Sequence, residues 1–260
     1  MSVLDLFRLD GKRALVTGAS RGLGRVMALA LADAGADVVI TGRTTETLES
    51  TAGEIRSRGR EAWTIQADMG VPAECQAACE RVLAEMGPID ILVNNVGNRE
   101  INVPIATEPL EVWQRSIDLN LTSCFLGTKI IGQAMLERGR GGRIINISSI
   151  SGLIANRGIG GRDYETGKAA VLHFTRCAAV DWAPHGITVN AICPGLFMTD
   201  KNREWNELRP DLIEIFVTNV PMGRPGEPDE IGPLAVFLAS PASSYVTGAA
   251  YVIDGGYTAW

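Results

Sequence analysis

The sequence has little of what metal sites and disulfide frameworks require. It contains two histidines, His173 and His185, and five cysteines, an odd number with no Cys-x-x-Cys spacing. Cys75 and Cys79 lie four positions apart on an expected helix, but no histidine cluster accompanies them. We therefore expect no metal site. The cysteine pattern also predicts a reducing, cytoplasmic setting.

Long apolar runs and an excess of positive charge are missing as well. No stretch reaches the roughly twenty apolar residues that span a bilayer, and charged residues interrupt the N-terminal segment, so we expect no signal peptide. The net charge is −6. Because a phosphate backbone or an anionic membrane surface repels such a chain, we expect neither nucleic acid nor membrane as a partner.

What remains is an ordinary globular composition, with 46% hydrophobic and 21% charged residues. This is too apolar for intrinsic disorder. No low-complexity tract or linker rich in proline and glycine divides the chain, and its length suits one α/β unit. The sequence predicts a single domain over residues 1–260.

Short β-branched runs alternate with longer segments of helical spacing. The runs predict seven strands, at Arg13–Thr17, Asp37–Thr41, Ala62–Ala67, Ile89–Asn94, Arg143–Ser148, Thr188–Ile192 and Ala250–Ile253. The segments predict helices at Gly24–Ala34, Thr44–Arg58, Pro72–Met86, Pro109–Glu137, Tyr164–Ala183 and Asp229–Leu238. Because the strands are apolar on both faces, the sheet should be parallel and covered on both sides. The prediction is a doubly wound, Rossmann-type α/β fold.

One segment, residues 196–222, departs from this alternation. It is amphipathic and is interrupted by Pro210, which predicts two short helices. In such sheets ligands bind beyond the carboxyl ends of the strands, and this segment follows the sixth strand. We expect it to form a lid over the substrate.

The first predicted strand leads into a glycine-rich turn, Gly18-Ala19-Ser20-Arg21-Gly22-Leu23-Gly24, and then into a helix. Gly18 permits a tight turn, Gly22 lets the backbone approach a pyrophosphate, and Gly24 lets the helix pack closely on the strand. An ordinary strand-to-helix turn is the alternative. The spacing and its position between strand and helix favour a dinucleotide site.

The end of the second predicted strand has no carboxylate. Such a carboxylate would bond the adenosine ribose of NAD and exclude a 2′-phosphate. Arg43 stands there instead, and Arg21 lies within the glycine turn, so two guanidinium groups could bind a 2′-phosphate. The alternative is that both arginines are solvated surface charges. We expect NADP(H) to be preferred, with NAD(H) possible.

Tyr164 and Lys168 open a predicted helix with a spacing that puts them on one face, about 5–6 Å apart at Cβ. A free phenol has a pKa near 10. A neighbouring ammonium group stabilises the phenolate, so we expect Lys168 to bring the pKa of Tyr164 toward the working range. Ser149, at the end of the fifth predicted strand, could hold a substrate oxygen. The pair by itself is common on amphipathic helices.

Taken together and in order, these motifs resemble the short-chain dehydrogenase/reductase family over essentially the whole chain. Thr17-Gly18-x-x-x-Gly22-x-Gly24 resembles its cofactor turn, Asn94-Asn95-Val96-Gly97 its fourth-strand motif, and Asn120, Ser149, Tyr164 and Lys168 its catalytic tetrad. The resemblance implies hydride transfer between a nicotinamide cofactor and a carbonyl or alcohol. Tyr164 would be the acid/base, Ser149 would orient the carbonyl, Lys168 would bond the ribose, and Asn120 would support a water. The alternative for Asn120 is a polar helix residue that points to solvent.

The family pattern also implies the cofactor contacts. They are Thr17, Gly18, Ser20, Arg21, Gly22, Leu23, Gly24, Arg43, Asp68, Met69, Asn95, Val96, Gly97, Tyr164, Lys168, Pro194, Gly195, Phe197 and Thr199. Within this set Asp68 would contact the adenine, and Pro194, Gly195 and Thr199 the nicotinamide carboxamide. The chain departs from the pattern at Val96, where alanine is usual, and by a short insertion between Ser149 and Tyr164.

The loops expected over the nicotinamide are rich in positive charge. Their basic residues are Arg99, Arg157, Arg162, Lys201, Arg203 and Arg209. Focused positive potential would favour an anionic substrate such as a keto acid, a sugar acid or a carrier-linked acyl group. Acidic residues are interleaved with them, so charges that serve only solubility are the alternative. Within the family, the chain resembles both sugar-acid or polyol dehydrogenases and 3-oxoacyl-carrier-protein reductases.

The run Ala169–Val180 is apolar on nearly every side, which predicts a subunit interface and a homo-oligomer, a tetramer or a dimer. Two other functions remain open beside the NADP(H) oxidoreductase. One is a non-catalytic dinucleotide-binding sensor or scaffold, and the other is an NAD-dependent polyol dehydrogenase. Intact Ser149, Tyr164 and Lys168 argue against the sensor.

Overall fold

Seven parallel strands form one sheet in a computed structural model that describes residues 2–99, 103–156 and 160–260. The strands are β1 Arg13–Val16, β2 Asp37–Gly42, β3 Ala62–Gln66, β4 Ile91–Asn94, β5 Gly142–Ile147, β6 Ile187–Pro194 and β7 Ala250–Ile253. Their order is β3-β2-β1-β4-β5-β6-β7, so the direction of winding reverses between β1 and β4. Ligands bind at such a switch point. The predicted doubly wound, Rossmann-type fold is confirmed.

Helices cover both faces of the sheet. They are α1 Gly22–Asp33, α2 Thr45–Ser57, α3 Pro72–Met86, α4 Leu110–Ile117, α5 Ser123–Arg138, α6 Arg162–Trp182, α7 Asp200–Leu208, α8 Pro210–Thr218 and α9 Gly232–Ala239. Among the described residues, no helix combines the length and the apolar character that crossing a membrane requires. Most element boundaries lie within two residues of the predicted ones, the usual spread at frayed ends.

The core lies in two layers, one on each side of the sheet. Val16, Val38 and Ile40 pack with the layer that holds α1, α2 and α9. Leu15 and Val39, their neighbours along the same strands, pack with the layer that holds α3 and α5. Successive strand residues point to opposite faces, so both must be apolar in a sheet that is covered twice.

The predicted helix Pro109–Glu137 is interrupted by a wider π-helical turn at Asp118–Thr122, between α4 and α5. Asn120 lies in this turn and is buried. Its Nδ2 donates to the backbone oxygen of Ser116 at 3.0 Å, so this oxygen accepts a hydrogen bond from a side chain. Turns of this kind occur often at functional sites. Apolar periodicity cannot reveal a single widened turn, so the sequence predicted one uninterrupted helix.

A chain of buried hydrogen bonds joins β4, β5 and two helices beneath the switch point. Asn94 Nδ2 donates to Asn146 Oδ1 and to Thr128 Oγ1, each at 2.9 Å. Asn146 Nδ2 donates in turn to Thr175 Oγ1 at 2.9 Å. Because unpaired polar groups are costly in a core, these bonds fix α6 against β5 in one position.

The segment 196–222 contains the two expected short helices, α7 and α8, separated at Arg209 before Pro210. Phe216 of α8 stacks on Tyr257 near the C-terminus, with ring centroids 4.9 Å apart. This contact joins the segment to the sheet edge beyond β7. That the segment acts as a lid over the substrate is still a prediction.

Candidate active site

A cavity of about 360 Å³ opens at the carboxyl ends of β1, β4, β5 and β6. It is lined by Gly18, Ser20, Arg21, Gly22, Leu23, Gly24, Gly42, Arg43, Ala67, Asp68, Met69, Asn95, Val96, Gly97, Asn98, Leu119, Ile147, Ser148, Ser149, Tyr164, Lys168, Pro194, Gly195, Thr199, Asp200 and Lys201. The glycine turn and the Ser149, Tyr164 and Lys168 cluster therefore share one cavity.

The glycine turn forms one wall of this cavity. Gly18 and Gly22 have φ angles of +64° and +58°, in the left-handed region that favours glycine. Helix α1 begins at Gly22, and among the described residues no side chain caps its first N–H groups. A helix start with open N–H groups attracts anions. The turn thus fits the pyrophosphate of a dinucleotide.

Thr17 and Asn95 support the glycine turn from behind. Asn95 Nδ2 donates to the backbone oxygens of Thr17 at 2.9 Å and Gly18 at 3.1 Å. Thr17 Oγ1 accepts from the backbone N–H of Asn95 at 3.0 Å. Thr17 is buried and does not line the cavity. It supports the glycine turn, and its predicted contact with the cofactor remains a prediction.

Arg21 and Arg43 both line the cavity at the end that would hold the adenosine. The Arg43 side chain is 67% exposed, and its Nη1 lies 3.9 Å from Asp68 Oδ2. Asp68 Oδ1 also accepts from the backbone N–H of Gly70 at 3.0 Å. The Asp68 carboxylate thus orients Arg43 only weakly, and most of the Arg43 side chain is exposed to solvent. The two arginines that were expected to bind a 2′-phosphate therefore line the same cavity as the glycine turn.

Ser149, Tyr164 and Lys168 converge on the opposite wall. Ser149 begins a short 3₁₀ turn after β5, and its Oγ accepts from the backbone N–H of Ser151 at 3.1 Å. Lys168 Nζ donates to the backbone oxygen of Ile147 at 2.9 Å and lies 5.8 Å from the centre of the Tyr164 ring. The hydroxyl, the phenol and the ammonium group are therefore positioned by β5 and by one turn of α6.

Burial governs the acidity of both titratable groups. It raises the pKa of Tyr164, while a hydrogen bond from Ser149 and the charge of Arg99 act in the opposite direction and the charge of Glu165 adds to the rise. Burial also lowers the pKa of Lys168 to about 8. The expectation that Lys168 lowers the pKa of Tyr164 stays a prediction, with the ammonium group bonded to the Ile147 carbonyl and 5.8 Å from the ring centre.

Asn120 is 1% exposed and lies behind Gly97, outside the lining of the cavity. Its Nδ2 donates to the backbone oxygen of Asn98 at 3.0 Å, and its Oδ1 accepts from the Asn98 N–H at 3.0 Å. The alternative of a solvated helix residue is therefore wrong. A Cβ at Gly97 would lie 2.8 Å from Asn120 Oδ1 and would collide with Lys168 Nζ, so a larger residue there would displace one or both side chains.

Of the other predicted cofactor contacts, Ser20, Leu23, Met69, Pro194, Gly195 and Thr199 line the cavity. Val96 lines it too, and its Cγ2 lies 3.0 Å from the place where Gly18 would carry a Cβ. Phe197 differs, because it is 3% exposed and packs into the core. Its predicted contact with the cofactor remains a prediction.

Some lining residues were not among the predicted contacts. Ile147 and Ser148 lie at the carboxyl end of β5, where the rule for open α/β sheets could have found them. Leu119 reaches the cavity from the π-helical turn, for which the sequence gives no signal. Asp200 and Lys201 enter from the first turn of α7.

Carboxylates pair with most of the basic residues that were expected to face the substrate. Arg203 bonds Glu227 at 2.8 Å and Arg209 bonds Asp211 at 2.8 Å, both on the exposed surface. Arg162 pairs with Glu165. Arg157 lies outside the described residues. Lys201 is the basic residue of this set that lines the cavity in the described chain, and its Nζ lies 2.5 Å from Asn98 Oδ1.

A dinucleotide turn that faces a serine, a tyrosine and a lysine defines a class of protein, the nicotinamide-dependent oxidoreductases that act on alcohol and keto groups. The family model described as enoyl-(acyl carrier protein) reductase matches residues 18–258. The chain belongs to the short-chain dehydrogenase/reductase family. Membership in a family of dehydrogenases and reductases decides against the non-catalytic sensor.

Similar proteins cover the whole chain. Galactitol 2-dehydrogenase (L-tagatose-forming) of Cereibacter sphaeroides is 39% identical over 260 residues, which cover 100% of both chains. The crystal structure of a short-chain type dehydrogenase/reductase from Mycobacterium marinum is 43% identical, with a TM-score of 0.92 and 99% of both chains covered. A gluconate 5-dehydrogenase from Burkholderia cenocepacia, in complex with NADP and tartrate, is 36% identical, with a TM-score of 0.90 and 100% of both chains covered.

The lowered pKa of Lys168 predicts a pH-dependent cost in stability. The lysine has a pKa of about 8 in the folded chain, against 10.5 for an ordinary lysine. Between these values the unfolded chain binds more protons, so stability rises with pH. Lys168→Met should therefore stabilise the ligand-free protein at pH 7 by up to about 3 kcal/mol. Urea denaturation from pH 6.5 to 10.5 should show this gain shrinking above pH 8.

Lys129→Met provides the control, because Lys129 is exposed on α5. The difference in free energy of unfolding between Lys129→Met and the unmodified protein should be the same across this pH range. A Lys168→Met variant whose gain is the same at pH 7 and pH 10 would contradict the buried-charge argument.

Proposed function

We propose that the protein transfers a hydride between NADP(H) and a secondary alcohol or carbonyl group of a sugar acid or polyol. The observation that carries the proposal is the shared cavity, in which the glycine turn faces Ser149, Tyr164 and Lys168. The relatives named as galactitol and gluconate dehydrogenases support this substrate class. The alternatives are an NAD-dependent polyol dehydrogenase and a reductase of carrier-linked acyl groups.

The bound nicotinamide would supply or accept the hydride, and the residues of the chain would handle the substrate oxygen and its proton. Ser149 Oγ would donate a hydrogen bond to the carbonyl oxygen and hold it beside the Tyr164 phenol. In reduction Tyr164 would give its proton to the developing alkoxide, and in oxidation it would take the alcohol proton. Lys168 would bond the nicotinamide ribose, and Asn120, behind Gly97, would support a water in the proton relay.

The cofactor would extend from this wall to the glycine turn. The open N–H groups at the start of α1 would bind the pyrophosphate, with Gly22 permitting close approach. Arg21 and Arg43 would bind the 2′-phosphate, and Asp68 would contact the adenine. The Burkholderia gluconate 5-dehydrogenase in complex with NADP supports this choice of cofactor.

At the substrate end, Lys201 supports an anionic substrate. Its ammonium group enters the cavity wall from α7, beside Asn98. A sugar acid would place its carboxylate there while its hydroxyl reached Tyr164. Two lid arginines, Arg203 and Arg209, pair with Glu227 and Asp211 on the surface and do not line the cavity.

We retain three expectations as proposals, namely a single domain, a cytoplasmic location and a homo-oligomer. For the oligomer, Phe125 of α5 and Val180 of α6 are 44% and 76% exposed, although both are large and apolar. Phe125 also packs edge to face on Phe174, with ring centroids 6.0 Å apart, which extends the apolar surface. Such a surface is typical of a subunit interface.

The proposed chemistry predicts that Tyr164→Phe abolishes turnover without weakening cofactor binding. Loss of the acid/base should lower kcat by about 100-fold to 10,000-fold. The measurement is absorbance of the reduced cofactor with D-gluconate and with galactitol, together with NADP+ binding by fluorescence. Tyr245→Phe, at an exposed position, is the control and should be fully active. Turnover retained by Tyr164→Phe would refute the mechanism.

The two arginines predict the cofactor preference. Arg43→Ala should raise KM for NADP+ by about tenfold or more, because charge-assisted bonds to the 2′-phosphate are lost, and should leave KM for NAD+ nearly unchanged. Steady-state kinetics with both cofactors measure this. Arg56→Ala, which removes a surface partner of Glu49 on α2, should change neither constant. An unmodified enzyme that prefers NAD+ would exclude NADP specificity.

Lys201 predicts discrimination between an acid and a neutral polyol. Lys201→Met should raise KM for D-gluconate by about tenfold, as expected for a lost bond to a charged group, and should leave KM for galactitol unchanged. Arg203→Met is the matched control on the same helix, since Arg203 pairs with Glu227. Equal effects of Lys201→Met on both substrates would argue against an anionic substrate.

A further inference from the structure

Arg99 lies against the face of the Tyr164 ring. It follows Asn98 in the loop after β4, and its Cζ is 5.0 Å from the ring centre. Its side chain is 21% exposed. A guanidinium group at this distance from an aromatic face is attracted to it, and more strongly when water is largely excluded. Arg99 is not among the described residues that line the cavity, and its contact is with the phenol ring.

Three groups fix the guanidinium of Arg99 in this position. Its Nη1 donates to the backbone oxygen of Gly160 at 2.9 Å, and its Nη2 donates to Ser151 Oγ at 3.2 Å. Its Nη2 also lies 3.6 Å from Glu165 Oε1. Since these partners come from the loop after β5 and from α6, the arginine is held on two elements that also carry Ser149 and Tyr164.

Glu165 is the buried anchor of this arrangement, with a side chain that is 8% exposed. Its Oε1 accepts from the backbone N–H of Asn156 at 3.1 Å and from Asn156 Nδ2 at 2.9 Å. Its Oε2 pairs with Arg162. A buried carboxylate that lacks such partners would be costly. Glu165 thus compensates two arginines, only one of which reaches the tyrosine ring.

We propose that Arg99 is a positioning residue for Tyr164, whose guanidinium, held by Glu165 and Ser151, stabilises the phenolate and keeps its ring in place. This assignment rests on the proposed function, in which Tyr164 exchanges the proton. It extends that function, because it adds a second cation, beside Lys168, to the groups that face the Tyr164 ring.

The other charged groups around Tyr164 support this assignment. Lys168 lies farther from the ring centre, at 5.8 Å, and donates to Ile147. Lys201, on α7, is directed to Asn98. Glu165 opposes ionisation of the phenol, and Arg99 favours it. Of the two described cations that lie over the Tyr164 ring, Arg99 is therefore the closer to its centre.

The direct test is to follow ionisation of the phenol in Arg99→Gln. The chain has four tyrosines, so protein labelled with ¹³Cζ-tyrosine gives few resonances, and Tyr164→Phe assigns the one that matters. The midpoint for Tyr164 ionisation should rise by about one pH unit in Arg99→Gln, because a cation on the ring face is removed. Protection by NADP+ in thermal unfolding confirms that the variant is folded.

Arg162→Gln is the matched control, since it removes an arginine from the same carboxylate without removing a contact to the ring. Its Tyr164 midpoint should change less than that of Arg99→Gln. Arg99→Lys keeps a cation but loses the planar fork, so its midpoint should lie between those of the unmodified protein and Arg99→Gln. It serves as the second variant if Arg99→Gln does not fold.

Either of two results overturns the assignment. One is a Tyr164 midpoint that stays the same in Arg99→Gln, or in Arg99→Lys if only that variant folds. The other is an equal rise in Arg162→Gln, which would mean that only the Glu165 network matters. Failure of the proposed function is a different result, turnover retained by Tyr164→Phe, and the titration is independent of it because it needs no substrate.

Discussion

The buried hydrogen bonds of Asn146 hold α6, which carries Tyr164 and Lys168, in place, and the candidate active site depends on them. Asn146 lies on β5, one residue before the strand end at Ile147 that leads to Ser149, and it bonds Thr175 of α6 at 2.9 Å. The end of β5 thus positions Ser149 on one side of the candidate active site, and α6 positions Tyr164 and Lys168 on the other. Apolar packing alone would permit small slips between them, whereas paired polar groups in a core accept one arrangement.

The sequence could predict the sheet, its parallel direction and most of the cavity. The apolar character of the strands on both faces leads directly to the two core layers, and the glycine spacing leads to the turn around Gly18 and Gly22. These features follow from local periodicity and from steric limits on the backbone. Contacts made across the fold were not accessible in this way. The π-helical turn at Asn120 and the position of Phe197 in the core depend on packing partners that are distant in sequence.

Electrostatics was the least predictable part of the site. A spacing of four places Tyr164 and Lys168 on one face, but it does not say where the ammonium group points or how much water surrounds it. The basic loops likewise suggested a broad positive potential, yet Glu227, Asp211 and Glu165 neutralise Arg203, Arg209 and Arg162. Net charge in a loop says little until its ion pairs are known.

The two cations near Tyr164 differ in how they respond to pH. Burial lowers the pKa of Lys168 to about 8, so its charge is lost at mildly alkaline pH, where oxidation of alcohols is favoured by removal of the released proton. An arginine stays protonated throughout that range. With Arg99 on the ring face, as proposed, the Tyr164 side chain keeps a neighbouring positive charge while Lys168 titrates. Lys168, as proposed, would bond the cofactor ribose, and Glu165 restricts how far Arg99 can move away.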